Sequence, residues 1–370
     1  MNQYNGISIV IATKGRVKLL EELLASVLIT RNNFSGESEV ILVDDSNSND
    51  VREIEMLCNK YSAKRVFHSP SVSEKRNIGA KIAKFDIVLF LDSDCIATPN
   101  LLNEHRKLYT EEKIGGVAGL LEFIGEDTFF WKAVHKSPFV ISFEMPLWVD
   151  SVPWTPAANC SVRKDVFEQI GGFDSDFQNK PGGEDVDFGI RINKKGYVLK
   201  CTKEGLVYHS KATWAPVKDM LNRIWNYGIA GFYIIDKHSD MSMEILPGQS
   251  IIAIILLFFS IIIAFINPWF LLLLPLWIFI NNVFTALMIN ICFNKKKATF
   301  LEQLIIQKLI NIFELSYMFH CILKRKLPYI FRDIVYYEGQ MNEAINNYSV
   351  KTWCNTITLT IISLIVIMFL

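Results

Sequence analysis

The sequence predicts an α/β domain, a mostly parallel sheet with helices on both faces, followed by C-terminal transmembrane and interfacial helices. Two patterns predict it. Over roughly the first 90 residues, short runs rich in β-branched residues alternate with amphipathic stretches. From 245 to 294, 50 residues pass without a single Asp, Glu, Lys, Arg or His, a length that soluble cores rarely reach, with a buried helical hairpin in a large soluble core as the alternative.

The elements follow in order. Residues 7–12 (ISIVIA) read as a buried strand, and 17–29 repeat leucine at helical spacing. A second strand is expected over 40–43, a helix over 51–61 and a short strand over 65–67. Another helix is expected over 74–83, then a buried strand over 87–91 (IVLFL). In such sheets ligands bind in the crevice at the carboxyl ends of the strands. Thr13, Lys14 and Arg16 follow the first strand, Asp44 and Asp45 close the second, and Asp92-Ser93-Asp94 closes 87–91. One Asp at a strand end is an ordinary cap or turn former. Two acidic clusters on one crevice point to a site.

The charge-free run holds two spans, 250–266 and 269–291, turned at Asn267-Pro268 with Trp269 as an interfacial anchor. Pro275 would kink the second. A further charge-free run, 352–370, is long enough for a third span. The cations between them include Lys295, Lys296, Lys297, Lys324, Arg325, Lys326 and Lys351, which place that segment and the N-terminal domain in the cytoplasm. Domains are thus expected at 1–240 (cytoplasmic), 245–294 (hairpin), 295–351 (interfacial) and 352–370 (span). Residues 300–323 have helical spacing with one apolar face, and read as a helix lying on the bilayer with Lys324–Lys326 toward anionic headgroups. A soluble helix packed on the catalytic domain is the alternative.

Composition excludes other classes. Lys+Arg 38 against Asp+Glu 38 gives a net charge of +0, without the cation excess of a nucleic-acid binder. Hydrophobic residues at 51% and a mean hydropathy of +0.24 exclude disorder and fit a membrane-embedded part. The 7 cysteines are scattered with no Cys-x-x-Cys pair, as expected for thiols kept reduced. No secretory signal is read at the N-terminus, because Glu21 and Glu22 interrupt the apolar run.

Several stretches together resemble glycosyltransferase family 2, nucleotide-sugar-dependent enzymes with the GT-A fold. SIVIATKGR is similar to the opening strand of that family and VILVDDSNSND to its second-strand motif. SEKRNIGAKIAKFDIVLFLDSDC resembles the segment entering its Asp-x-Asp motif. PAANCSVRKDVFEQIGGFD and GGEDVDFGIRINKKGY resemble its acceptor-side motifs. The resemblance covers roughly residues 5–235.

It implies roles for the residues at the crevice. Asp94 would bind Mn2+ or Mg2+, with Asp92 reaching the ribose or the metal through water and Ser93 between them, since oxygen ligands suit cations shared with phosphates. His209 would be a further metal ligand, with a capped or core histidine as the alternative. Asp45, beside Asp44, would accept a hydrogen bond from the nucleobase, flanked by Ala12 and Thr13, and Arg16 lies at the same donor end. Asp185 would be the base of an inverting transfer and Glu184 would orient it or the acceptor; one carboxylate suffices because the cation replaces an acid. Gly182 and Gly183 would let the backbone turn beneath the substrate. Read from position alone, Lys75 and Arg76 open a helix whose N-terminus could meet a phosphate, or are solvated surface charge. Trp154 and Asn159 would shape an acceptor sugar pocket, with core packing as the alternative for Trp154.

One departure bears on processivity. Polymer-forming members carry a Gln-x-x-Arg-Trp motif near the membrane, whereas this chain reads MLNRIWNYG, with Ile224 between Arg223 and Trp225. A single transfer to a glycan or lipid-linked acceptor is therefore expected. A sugar-phosphate nucleotidyltransferase is one rival, although only Gly15 follows the first strand where such enzymes carry a Gly-rich loop. A non-catalytic membrane scaffold that keeps the fold is the other.

Overall fold

The computed structural model describes residues 4–68, 71–179, 182–245, 249–265 and 298–334, together with Pro268, Phe279, Val283 and Leu287. Two compact units are present, 1–126 with 140–216 and 127–139 with 217–370.

In the first unit the expected alternation is found. It runs β1 (Gly6–Thr13), α1 (Val17–Asn32), β2 (Glu37–Asp44), α2 (Ser48–Lys60), β3 (Lys64–Phe67), α3 (Val72–Ile82) and β4 (Ile87–Asp92). Ile7, Ile9, Val10 and Ile11 are fully buried, as a continuous apolar run requires when both faces of a strand are covered. Asn47 caps α2 by accepting from the Asn49 and Asp50 amides, and Ser71 caps α3 by accepting from Glu74. Then follow β5 (Cys95–Ala97), α4 (Leu101–Arg106) and β6 (Ile114–Ile124). Beyond α5 (Phe129–His135), which belongs to the second unit, come α6 (Ile141–Glu144), β7 (Ser151–Val152), β8 (Asn159–Arg163), α7 (Lys164–Gln169), α8 (Glu184–Lys194) and β9 (Val198–Ser210).

The nine strands order as β3-β2-β1-β4-β8-β6-β9-β5, with β7 on β9. The first four are parallel, joined by the crossovers that α1, α2 and α3 provide. The other half departs from the expected mostly parallel sheet. There β8 runs antiparallel to both β4 and β6, and β5 and β7 run antiparallel to β9, so the sheet is mixed. Register sets the crevice: Thr13 lies opposite Asp44 and Ala12 opposite Asp92, so three strand ends finish level.

The second unit holds α5, α9 (Val217–Lys237), β10 (Ser242–Glu244), α10 (Gln249–Ala264), α11 (Phe300–Leu323) and β11 (Arg332–Ile334). A full capping box at Thr299 and Glu302 starts α11. It meets α9 at Gly228, where a Cβ would lie 2.8 Å from that of Ser316, and Ser316 donates to the Trp225 carbonyl at 2.6 Å. The buried face of α11 mixes apolar residues, Ile306, Leu309, Tyr317, Met318 and Cys321, with polar ones. Glu302, Gln303 and Gln307 are buried, with Glu302 held by Lys136 at 2.8 Å, whereas Leu301, Phe319, Ile322 and Leu323 are more than half exposed. The first expected span falls on α10; the expected spans 269–291 and 352–370 lie outside the described residues, apart from Phe279, Val283 and Leu287. Among the described residues, no helix is long and apolar enough to cross a membrane.

Candidate active site

The strand ends of the first unit gather the predicted acids. Asp92 ends β4, Ser93 and Asp94 form the turn into β5, and His209 comes from β9, where it sits opposite Cys95. The His209 Nε2 lies 3.5 Å from Asp94 Oδ1 and 4.0 Å from Asp92 Oδ2. Its ring is held among Phe123 and Trp214. The other oxygen of Asp94, Oδ2, accepts from Thr213 Oγ1 at 2.7 Å and from Arg16 Nη1 at 3.1 Å. Arg16 reaches it from a left-handed turn, Gly15 (φ 59) followed by Arg16 (φ 54), that caps α1. Ser93 is buried beside them. Asp94 and His209 thus face one another with Asp92 beside His209, oxygen and nitrogen donors of the kinds that suit Mg2+ or Mn2+.

Arg76 joins this cluster to the second acidic pair. Its guanidinium donates to Asp92 Oδ1 at 2.9 Å and to Glu184 Oε1 at 3.0 Å while lying over the Phe173 ring. Burial alone would raise the Asp92 pKa, but Arg76, His209 and Arg16 outweigh it and hold Asp92 below the usual carboxylate range. Asp185 behaves oppositely. Burial first, and the neighbouring Glu184 charge second, push its pKa up to about 7, with Arg76 opposing. Gly182 (φ 87) and Gly183 (φ 94) both take the left-handed conformation immediately before α8, where an L side chain would be strained, and so aim its first turn at the crevice. Arg76, expected at a phosphate from its place at the helix N-terminus, is instead a buried bridge between acids.

At the end of β1 and β2, Asp44 and Asp45 separate. The Asp44 carboxylate is fully buried and accepts from the Ser46 amide and hydroxyl and from two nitrogens of Arg65. That fills its lone-pair sites, so the expected donor contact at Asp44 is corrected to a structural one. Lys75 is also corrected. Its ammonium is buried, donating to the Thr13 carbonyl at 2.8 Å and pairing with Asp45, where a phosphate contact was expected. Asp45 also faces Lys14 at 3.4 Å. The Thr13 hydroxyl is buried with no hydrogen-bond partner, an orphan that a ligand at this strand end would satisfy. Ala12 lies half-buried next to it.

Asn159 is the clearest correction. It is fully buried, donating to the Leu120 and Gly205 carbonyls at 2.9 and 2.8 Å while its oxygen takes His105 Nε2 at 3.0 Å. No group is left for an acceptor sugar: the side chain ties β6, β8 and the β9 bend together. His105, whose pKa burial lowers to about 4, completes the network through Ser161. Asn159→Ala is expected to cost about 3 kcal/mol, since it orphans three buried groups, and denaturant unfolding measures it. Trp154 is half-buried and its backbone packs on α8 at Gly189, where a Cβ would lie 2.5 Å from Trp154 Cα. Gly189 thereby holds Trp154 against the helix that starts with Glu184 and Asp185. Its position inside a helical pattern was the one signal in the sequence.

Residues 8–171 match the family model of glycosyl transferase family 2. O-antigen biosynthesis protein RfbC of Myxococcus xanthus is 28% identical over 56% of this chain and 17% of its own length. Chondroitin synthase of Pasteurella multocida is 24% identical over 57% of this chain and 25% of its own. The match thus spans a quarter or less of either relative. Among solved structures, a mannosyltransferase of Pyrobaculum calidifontis in complex with GDP-Man and Mn2+ is 14% identical, covering 63% of this chain and 64% of that one, at a TM-score of 0.47.

Proposed function

We propose that the chain is a family 2 glycosyltransferase that moves one sugar from a nucleotide-sugar donor to an acceptor hydroxyl with inversion at the anomeric carbon. The observation that carries it is the Arg76 bridge. It sets Asp92, Asp94 and His209 on one side and Glu184 and Asp185 on the other, two acidic groups 90 residues apart brought to one sheet edge.

Asp94, His209 and Asp92 would hold Mn2+ or Mg2+, which when bound supplies Lewis-acid charge to the departing diphosphate. Asp45 and the free Thr13 hydroxyl receive the nucleobase, with Lys75 fixing Asp45 against β1. Arg16, half-exposed on Asp94, meets the diphosphate. Asp185 takes the proton of the acceptor hydroxyl as that oxygen bonds to the anomeric carbon and the bond to the diphosphate oxygen breaks. A carboxylate whose pKa lies near 7 is matched to that task. Trp154 offers a ring to the acceptor sugar from beside α8.

The exposed apolar residues of α11 support a membrane-face location, with Leu301, Phe319, Ile322 and Leu323 entering the headgroup region and Lys324 and Arg325 at its rim. A lipid-linked acceptor on the cytoplasmic leaflet fits that placement. The test is the anomeric configuration of the product by proton NMR. Inversion is expected, and retention would remove Asp185 from its role, because a retained centre needs a nucleophile.

A further inference from the structure

Cys95 has no part in the transfer chemistry above, yet it stands inside the cation site. In the antiparallel pairing of β5 with β9 it lies directly opposite His209, so the two side chains leave the same face of the sheet side by side. A carboxylate oxygen of Asp94, the sulfur of Cys95 and a ring nitrogen of His209 all lie within 4.8 Å of one another. All three side chains are buried, at 5%, 0% and 3% exposure. Asp94 divides its oxygens: Oδ2 serves Arg16 and Thr213, while Oδ1 faces His209. The thiol's own contact is a weak one, to the Ala158 carbonyl at 4.0 Å. A cavity of about 300 Å3 lies beside it, with Asp94 and Cys95 in its lining.

Oxygen, nitrogen and sulfur at this spacing are a different donor set from the carboxylates and waters that suit Mg2+. Sulfur ligands select Zn2+ and its analogues, which accept three protein ligands and keep one open position. We propose that Asp94, Cys95 and His209 form a three-ligand site for a thiophilic divalent cation, with Zn2+ foremost, that overlaps the cation site of the transfer reaction. On binding, the Cys95 S–H bond breaks, its proton passes to solvent, and the sulfur lone pair bonds to the metal with no change of oxidation state. Zn2+ held there would compete with Mn2+ or Mg2+ for Asp94 and His209, and so lower the turnover either supports. The proposal rests on the reading of Asp94 and His209 as cation ligands and adds the thiolate to them.

Co2+ is the probe, because a Co2+–thiolate bond gives a near-ultraviolet charge-transfer band that oxygen and nitrogen ligands do not. The full-length protein titrated with Co2+ is expected to develop that band and to lose it when Zn2+ is added. Cys95→Ser and His209→Ala should each abolish it, which separates Cys95 from the other cysteines. Cys95→Ser should also weaken Zn2+ binding at least about tenfold by calorimetry and leave Mg2+ binding unchanged. Co2+ that binds without the band overturns the thiolate and leaves the cation site standing. No Co2+ binding at all overturns both. If Cys95→Ser does not fold, the band in the unmodified protein and its reversal by Zn2+ still decide the matter.

Discussion

Asp185→Asn is expected to lower kcat about a thousandfold while leaving donor binding intact, the effect of removing one general base. Asn keeps the size and the acceptor oxygen that receives the Val186 amide at 2.9 Å, so the helix start is preserved. With Asp185 as the proposed base, kcat/KM should rise with pH through a single ionisation near 7, because only a deprotonated carboxylate can accept the acceptor's proton. The same ionisation has a sign for stability. With a folded pKa raised from 3.8 to about 7, Asp185 favours the fold fully below pH about 4, and that contribution is lost as pH rises through about 7. Asp185→Asn should therefore melt higher than the unmodified protein at pH 8 and not at pH 4. Thermal melts at the two pH values read the difference independently of activity.

Asp94→Asn is expected to lower kcat/KM roughly a thousandfold, the scale of several kcal/mol that a positioned cation contributes. The substitution keeps the acceptor oxygen for Thr213 and removes the charge that faces both Arg16 and His209. Calorimetry should show Mn2+ binding lost in the variant, and the nucleotide-sugar donor should bind no better with Mn2+ than without it. An Asp94→Asn enzyme that still binds Mn2+ with unchanged affinity would move the cation elsewhere. On the proposed mechanism the two variants divide the site, one acting on leaving-group departure and the other on proton removal.

The parts of this site that were legible in the sequence are those written locally. A run such as ISIVIA can be buried on both faces only as an interior strand, and an acid just beyond such a run must emerge at the crevice, as Asp92 and Asp94 do. The two glycines before Glu184 announce a left-handed turn that few other residues adopt. What stayed hidden were partnerships between distant residues. Nothing near Arg76 says that its guanidinium will span Asp92 and Glu184, 108 residues further on. Asn159 looked like a sugar ligand because a polar residue beside an acceptor motif is ambiguous until its three buried partners are known. The antiparallel placing of β5, β7 and β8 was hidden for the same reason, since strand direction depends on where the long excursion after β6 returns. In α11 the apolar stripe was legible, but not that Glu302, Gln303 and Gln307 would pack inward beside Ile306 and Leu309.

The most direct test incubates the detergent-purified protein with a panel of nucleotide sugars and Mn2+, and measures the nucleotide set free. Release of a nucleoside diphosphate from at least one donor is expected, abolished by EDTA and by Asp94→Asn. Release of pyrophosphate, or of nucleoside diphosphate at the same rate in Asp94→Asn, would contradict the account.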